Sequence, residues 1–244
     1  GQNRTEAIEA MRTALDRFYI RGVSHNIPFL ASLMNKSRFL EGRLSTNFIA
    51  EEYKNGFHAQ DLPPEDPAVL AAVAASVHFA GAERNARISG QMPGHEMKVG
   101  SDWVVKLGEE SYPVSVFAVE GGWDVVLGGR KLPVRTSGWS LGHPLFEGTV
   151  AGRCVFVQID RKEVGWRMFH AGAQAEVMVY TALQARLAAL MPKKAPPDMS
   201  RYLLSPMPGL LVSLAVMDGQ EIKAGEELAV VEAMKMMNIL RAGR

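Results

Sequence analysis

Apolar residues recur at spacings of three and four at the start of the chain. Ile8, Met11, Leu15 and Phe18 in RTEAIEAMRTALDRFYI form one stripe, which predicts a helix ended by Gly22. A second short helix is expected in SHNIPFLASLMNKSRFLEG, with Pro28 in its first turn, where a missing N–H costs nothing, and a stop at Gly42. Two such helices bury little alone, so residues 1–58 read as the tail of a larger domain whose body lies upstream. From Ala68 to Ala80 the pattern is apolar on every side, mostly Ala and Val, which leaves no face for water and predicts an enclosed helix.

The next hundred residues change period. WVVKL, YPVSVFAV, WDVVL, KLPVR, TVAGRCVFVQID, GWRMF and AEVMVY are strand-like and separated by turns such as EGG, LGG and HAG, which makes seven to eight short antiparallel strands. A sheet of that size loses its exposed edges by closing into a barrel, and an all-apolar helix is a natural filling for one. YTALQARLAALMP then predicts a short closing helix. HAQDLPPEDP and PKKAPPDM, with three prolines each, read as linkers. The expected units are 1–58, 67–191 and 201–244, joined by linkers at 59–66 and 192–200. The expected fold class is α+β and multi-domain: a mainly antiparallel β-barrel around a central helix, a small helical N-terminal segment, and a partial all-β domain at the end.

Charge and composition narrow the function classes. Twenty-seven Lys and Arg against 26 Asp and Glu give a net charge of +1, with no block of like charges, so no nucleic-acid groove or polybasic membrane face is indicated. The longest apolar run, PAVLAAVAASVHFAGA, is shorter than the roughly 18 residues of a membrane span. A single cysteine, Cys154, excludes an internal disulfide and fits a reducing compartment; in its alternating run it reads as a small buried hydrophobe. The six histidines are scattered without paired ligand spacing, so no metal is expected in this chain. LGGRKL reads as a two-residue hairpin turn rather than a phosphate loop. Arg21, His25 and Asn26 in RGVSHN read as packing or capping residues.

The candidate chemistry lies at the end of the chain. In LLSPMPGLLVSLAVMDGQEIKAGEELAVVEAMKMMNIL, short apolar strands alternate with tight turns at MPG, DGQ and KAGE, and the strand ELAVVEAM leads to Lys235 between Met234 and Met236. SPMPG followed at this distance by VEAMKM resembles the biotinyl, or biotin carboxyl carrier, domain, a small lipoyl-like all-β fold. There the lysine of Ala-Met-Lys-Met carries covalent biotin. The resemblance implies Lys235 as the attachment point, with Met234 and Met236 beside the cofactor. Pro206, Met207, Pro208, Gly209, Gly219, Gly225 and Glu232 complete the motif. A lipoyl domain shares the fold but places Asp and Ala around its lysine. A lysine amine is protonated at neutral pH, so a biotin protein ligase must help remove a proton before attack; Lys235 is then a substrate, not a catalyst.

Two further resemblances frame this one. AMRTALDRFYIRGVSHNIPFL and FLEGRLSTNFIAEEY are similar to the C-terminal end of the biotin carboxylase domain of acyl-CoA carboxylases. That family's ATP-grasp residues, which use ATP with Mg or Mn, lie upstream, so no catalytic residue is expected in this chain. The stretch from DPAVLAAVAASVHFAGAERNARISGQ to AEVMVY is similar to the BT domain of the α subunit of propionyl-CoA carboxylase. That domain binds a carboxyltransferase β subunit, which holds most of the acyl-CoA site. The loop ISGQMPGHEMKVGSD offers Met92, Pro93, His95 and Met97 as adaptable contacts for docking.

These resemblances imply the biotin-carrying and docking portion of an acyl-CoA carboxylase α subunit, a biotin-dependent ligase. It is most like the one that carboxylates propionyl-CoA to methylmalonyl-CoA, and 3-methylcrotonyl-CoA is the alternative substrate. The location implied is bacterial cytoplasm or mitochondrial matrix. A non-catalytic lipoyl-like adaptor with an unmodified Lys235 is the reading from another class. Biotinyl domains have two quasi-equivalent halves, and Arg244 follows closely on the lysine hairpin. A fragment is therefore expected, with Val212, Leu214 and Val230 short of cover.

Overall fold

A computed structural model describes residues 1–54, 56, 57, 62–136, 138–192, 202–233 and 235–242. The chain divides into two compact units, Gly1–Met191 and Pro192–Arg244. Residues 59–61 of the first expected linker and 193–200 of the second lie outside the described residues.

The first unit opens with four helices, α1 Arg4–Arg17, α2 Ile27–Met34, α3 Ser37–Leu40 and α4 Phe48–Glu52. Asn3 caps α1 by accepting from the Glu6 N–H. The helix stops at Arg17, because Phe18 turns extended, and not at Gly22 as the pattern suggested. Of the expected stripe only Ile8 is buried, and Met11 and Phe18 are exposed. The second predicted helix is two, broken at Asn35 and Lys36, with Pro28 in the first turn of α2 and Gly42 in the left-handed region after α3.

Helix α5, Pro67–Ala86, is capped by Asp66, whose side chain accepts from the Ala68 N–H. Eight strands follow: β1 Asp102–Leu107, β2 Glu110–Val119, β3 Gly122–Leu127, β4 Arg130–Thr136, β5 Leu145–Val150, β6 Arg153–Arg161, β7 Trp166–His170 and β8 Ala173–Tyr180. Each pairs antiparallel with the next, and β8 returns to β1, with Val104 opposite Tyr180 and Leu107 opposite Val177. The barrel is closed around α5. Ala71 to Ala75 have no exposed surface, and they pack with inward residues such as Val105, Val116, Val125, Val134, Val157 and Met168. Small Ala and Val side chains dominate the enclosed face of α5, with Leu70 and Phe79 also buried, which lets a helix occupy the narrow interior of an eight-stranded barrel. Ser76, the polar residue in that helix core, donates its hydroxyl to the Ala72 carbonyl at 2.8 Å. At one end of the barrel, His78 meets the rings of Trp103 and Trp166 edge-on, and burial pushes its pKa down.

TVAGRCVFVQID is not one strand but the β5–β6 hairpin, turning at Ala151 (φ 50°) and Gly152 (φ 81°). Cys154 is exposed, against the sequence reading. It sits on the outward side of a strand whose Val155, Val157 and Ile159 face the core. The closing helix, α6 Ala182–Leu190, has a reciprocal capping box between Thr181 and Gln184.

The segment after α1 is laid across β5–β8. The nearly buried Gln158 amide donates to the carbonyls of Asp16 (2.8 Å) and Phe18 (3.3 Å). Asp16 accepts from the Ala171 N–H at 2.9 Å, and Arg21 pairs with Asp160 at 2.6 Å while lying over the Phe169 ring. At the tip of the β7–β8 hairpin, a side chain on Gly172 would meet the Pro28 carbonyl at 2.7 Å, so glycine lets the hairpin seat against α2.

His170 donates through Nδ1 to the Phe156 carbonyl at 2.9 Å and lies 3.4 Å from the Asp16 carboxylate. Burial works against its charge, but Asp16, the Phe156 carbonyl and Glu65 outweigh it, and its pKa is raised above 6.5. A raised pKa means that the pair stabilises fully below 6.5 and loses its contribution as pH rises through the folded value. In thermal melts, Asp16→Asn should therefore fall below the unsubstituted chain most at pH 6, with the gap closing toward pH 9. A constant gap would show that the pairing carries no proton-linked stability.

The second unit is a three-stranded sheet of β9 Leu210–Leu214, β10 Glu227–Ala233 and β11 Met236–Arg241, in the order β11-β10-β9. Ala229, Val231 and Ala233 are buried, Val212 and Leu214 are exposed and Val230 is half-buried.

Candidate functional site

Strands β10 and β11 pair down to Ala233 opposite Met236, so the turn between them is the two residues Met234 and Lys235. Such short turns match the twist of the flanking strands when the backbone takes positive φ. Lys235 does so at φ 63°, an uncommon position for a residue with a side chain. Met234 lies outside the described residues. Lys235 is exposed, and its ammonium has no hydrogen-bond or ion-pair partner among the described residues. Met236 and Met237, which follow it in β11, are 68% and 61% exposed, so at least one polarisable thioether is presented at this tip.

The other motif residues fall into two groups. Glu232 is half-buried, opposite Met237 on one side and Leu210 on the other, and Gly209 runs against its backbone. Ser205 folds the proline segment by donating to the Met207 carbonyl at 2.7 Å, and Pro206 and Pro208 are exposed. Gly219 (φ 80°) and Gly225 (φ 85°) do not line the lysine. They serve the Met217–Gln220 and Lys223–Glu226 turns, where the Gln220 and Glu226 N–H groups donate to the Met217 and Lys223 carbonyls. Gly225 also donates to the Ala242 carbonyl at the far end of the β10–β11 hairpin, about 20 Å of strand from Lys235.

An amine displayed in this way is accessible to an incoming acyl donor, and no base among the described residues is bonded to it. It is suited to be modified by another enzyme. No group of three or more His, Cys, Asp or Glu with metal-holding geometry occurs among the described residues. A cavity of about 370 Å³ lies in the first unit between β1, β2, β3 and the start of α6. It is lined by Trp103, Val104, Pro113 and Val126, and its carboxylate, Asp102, accepts from the Ser115 hydroxyl at 2.6 Å.

The Gln91 side chain ties the loop after α5 at both ends. The Gln91 amide donates to the Ala86 carbonyl and its oxygen accepts from the Met97 N–H, both at 2.6 Å. Ile88, Met92 and Met97 are left exposed. Sequence reasoning singled out the methionines but not Gln91, nor the Asp16 and Gln158 contacts. The available signal at Gln158 was an amide in the apolar run CVFVQID, which demands a partner once buried.

Three family models match the chain: "Propionyl-coenzyme A carboxylase BT domain" over residues 70–194, "Biotin carboxylase C-terminal domain" over 1–51 and "Biotin-requiring enzyme" over 202–244. Among curated proteins, it is 44% identical over 239 residues to a propionyl-CoA carboxylase alpha chain of Ruegeria pomeroyi, covering 98% of this chain and 35% of the relative. It is 36% identical to the mitochondrial propionyl-CoA carboxylase alpha chains of Mus musculus over 249 residues and of Homo sapiens over 255, covering 100% of this chain and 34% of each relative. The chain thus spans about a third of the length of these relatives.

Proposed function

Because the chain belongs to the propionyl-CoA carboxylase BT-domain family, we propose that it is the biotin-carrying and docking portion of an acyl-CoA carboxylase α subunit. The observation that carries this reading is Lys235: an exposed amine at a left-handed turn, without a partner among the described residues, inside the region matching biotin-requiring enzymes. The residues present fit the cofactor. The Lys235 amine can form an amide with biotin's carboxyl group, with Met236 at its side and Met234 as the expected second neighbour. When attached, biotin supplies a ureido nitrogen that accepts and gives up a carboxyl group. Lys235 anchors the group and loses its charge on acylation, and the exposed thioethers offer soft contact to an apolar arm in several orientations.

Other parts of the reading rest on the resemblances in the sequence and on the barrel. A biotin protein ligase loads Lys235, an upstream carboxylase domain uses ATP, and a carboxyltransferase β subunit holds the acyl-CoA. The barrel docks that partner, and the Gln91-pinned loop with Ile88, Met92 and Met97 is the element proposed for contact. The relatives are bacterial and mitochondrial, so the compartments proposed are bacterial cytoplasm or mitochondrial matrix. No helix among the described residues is long and apolar enough to cross a membrane. Co-expression with a carboxyltransferase β subunit tests partner and substrate together. The expected result is a copurifying complex that, with its carboxylase domain supplied, carboxylates propionyl-CoA faster than 3-methylcrotonyl-CoA. The reverse preference would move the substrate to 3-methylcrotonyl-CoA, and no complex would remove the docking role.

A further inference from the structure

The left-handed backbone of Lys235 has a steric cost, and such a conformation persists where the surrounding structure holds it. A two-stranded hairpin is marginal by itself. Among the described residues, the strand placed to brace the β10–β11 turn is β9, on the other side of β10. That strand reaches farthest toward the turn at Leu210, which pairs with Glu232, three residues before Lys235. To begin pairing there, the preceding residue has to pass directly against the β10 backbone.

Gly209 does this. A Cβ at that position would lie 2.4 Å from the Glu232 carbonyl oxygen and 2.8 Å from Val231 Cγ1, closer than real contacts allow. Gly209 is not among the glycines at positive φ, so a bare α-carbon is needed for space and not for conformation. We infer that Gly209 is a positioning residue for biotin attachment: its close approach to Glu232 lets β9 brace the base of the hairpin that displays Lys235. This deepens the carrier reading and rests on it.

The test compares Gly209→Ala with Gly219→Ala in the full chain. Gly219 has φ 80° and open space around it, so alanine strains that turn without touching β10. Biotin attachment by a purified ligase is measured below the unfolding temperature of both variants, with amide exchange at residues 232–237. Gly209→Ala should lower kcat/KM for attachment about tenfold and speed exchange at Met236 and Met237, while Gly219→Ala stays within about twofold of the unsubstituted chain. Attachment to Gly209→Ala at the unsubstituted rate, or equal slowing by Gly219→Ala, overturns the inference. A measurement on the unsubstituted chain covers the case in which Gly209→Ala does not fold. The amides of Leu210 and Leu211 should exchange together with those of Met236 and Met237, and free exchange of β9 beside a protected hairpin overturns the bracing role. If the unsubstituted chain takes no biotin, the carrier reading fails, and the exchange data still report whether Gly209 holds the turn.

Discussion

Lys235→Arg should reduce ligase-catalysed biotin incorporation to background while leaving the fold unchanged. Arginine keeps the length and charge of the side chain, and the position is exposed with no partner among the described residues, so the stability change should stay within about 0.5 kcal/mol. What disappears is the nucleophile, because a guanidinium stays protonated at any pH a protein survives and cannot take the acyl group. A streptavidin blot of chains co-expressed with a competent ligase reads the result. Persistent labelling of Lys235→Arg would place the acceptor on another lysine.

Phe146→Ala should cost about 3–5 kcal/mol, the usual range for emptying a large aromatic site in a core. Phe146 has no exposed surface, pairs with Val157 across β5 and β6, and packs against Trp139 with ring centroids 5.5 Å apart. It lies in the cluster that surrounds α5, where neighbouring strands cannot collapse inward because the helix occupies the space. The unfolding midpoint of the barrel should drop by about 10 °C in a thermal melt. Biotin attachment to Lys235, measured below that midpoint, should be unaffected. A drop of less than about 2 °C would mean that Phe146 does not fill a packed barrel interior.

The barrel was legible because the two strongest periodic signals agree. A helix apolar on all sides needs enclosure, and a run of short strands with glycine turns needs closure. Gly128–Gly129 announced its hairpin openly, with φ 57° and 80°. Ala151–Gly152 is hidden inside the continuous run TVAGRCVFVQID, although its backbone, at φ 50° and 81°, matches that of Ala171–Gly172 in the HAG turn. The same hidden turn sets which face Cys154 takes, so its exposure could not be read from alternation across the whole segment. Local pattern also overran the end of α1. Phe18 leaves the helix to lie along the barrel, where Gln158, 140 residues away in sequence, takes its carbonyl.

At the candidate site the division is similar. The methionines and glycines around Lys235 carried a family resemblance, and the short turn was implied by the strands on either side of it. The KAGE turn before ELAVVEAM already set Gly225 at the opposite end of the hairpin, whereas the sequence held no sign that Gly209 is defined by the space beside Glu232. The Gly209 contact depends on strand register, which the β-bulge between Val230 and Val231 in the β9–β10 pairing shifts by one residue.

Peptide-level mass mapping of the chain after co-expression with a biotin protein ligase tests the carrier role most directly. The expected result is a single biotinyl addition on the peptide containing Lys235, with every other lysine unmodified. An intact mass without that addition, or a biotinyl group confined to a different lysine, would contradict it.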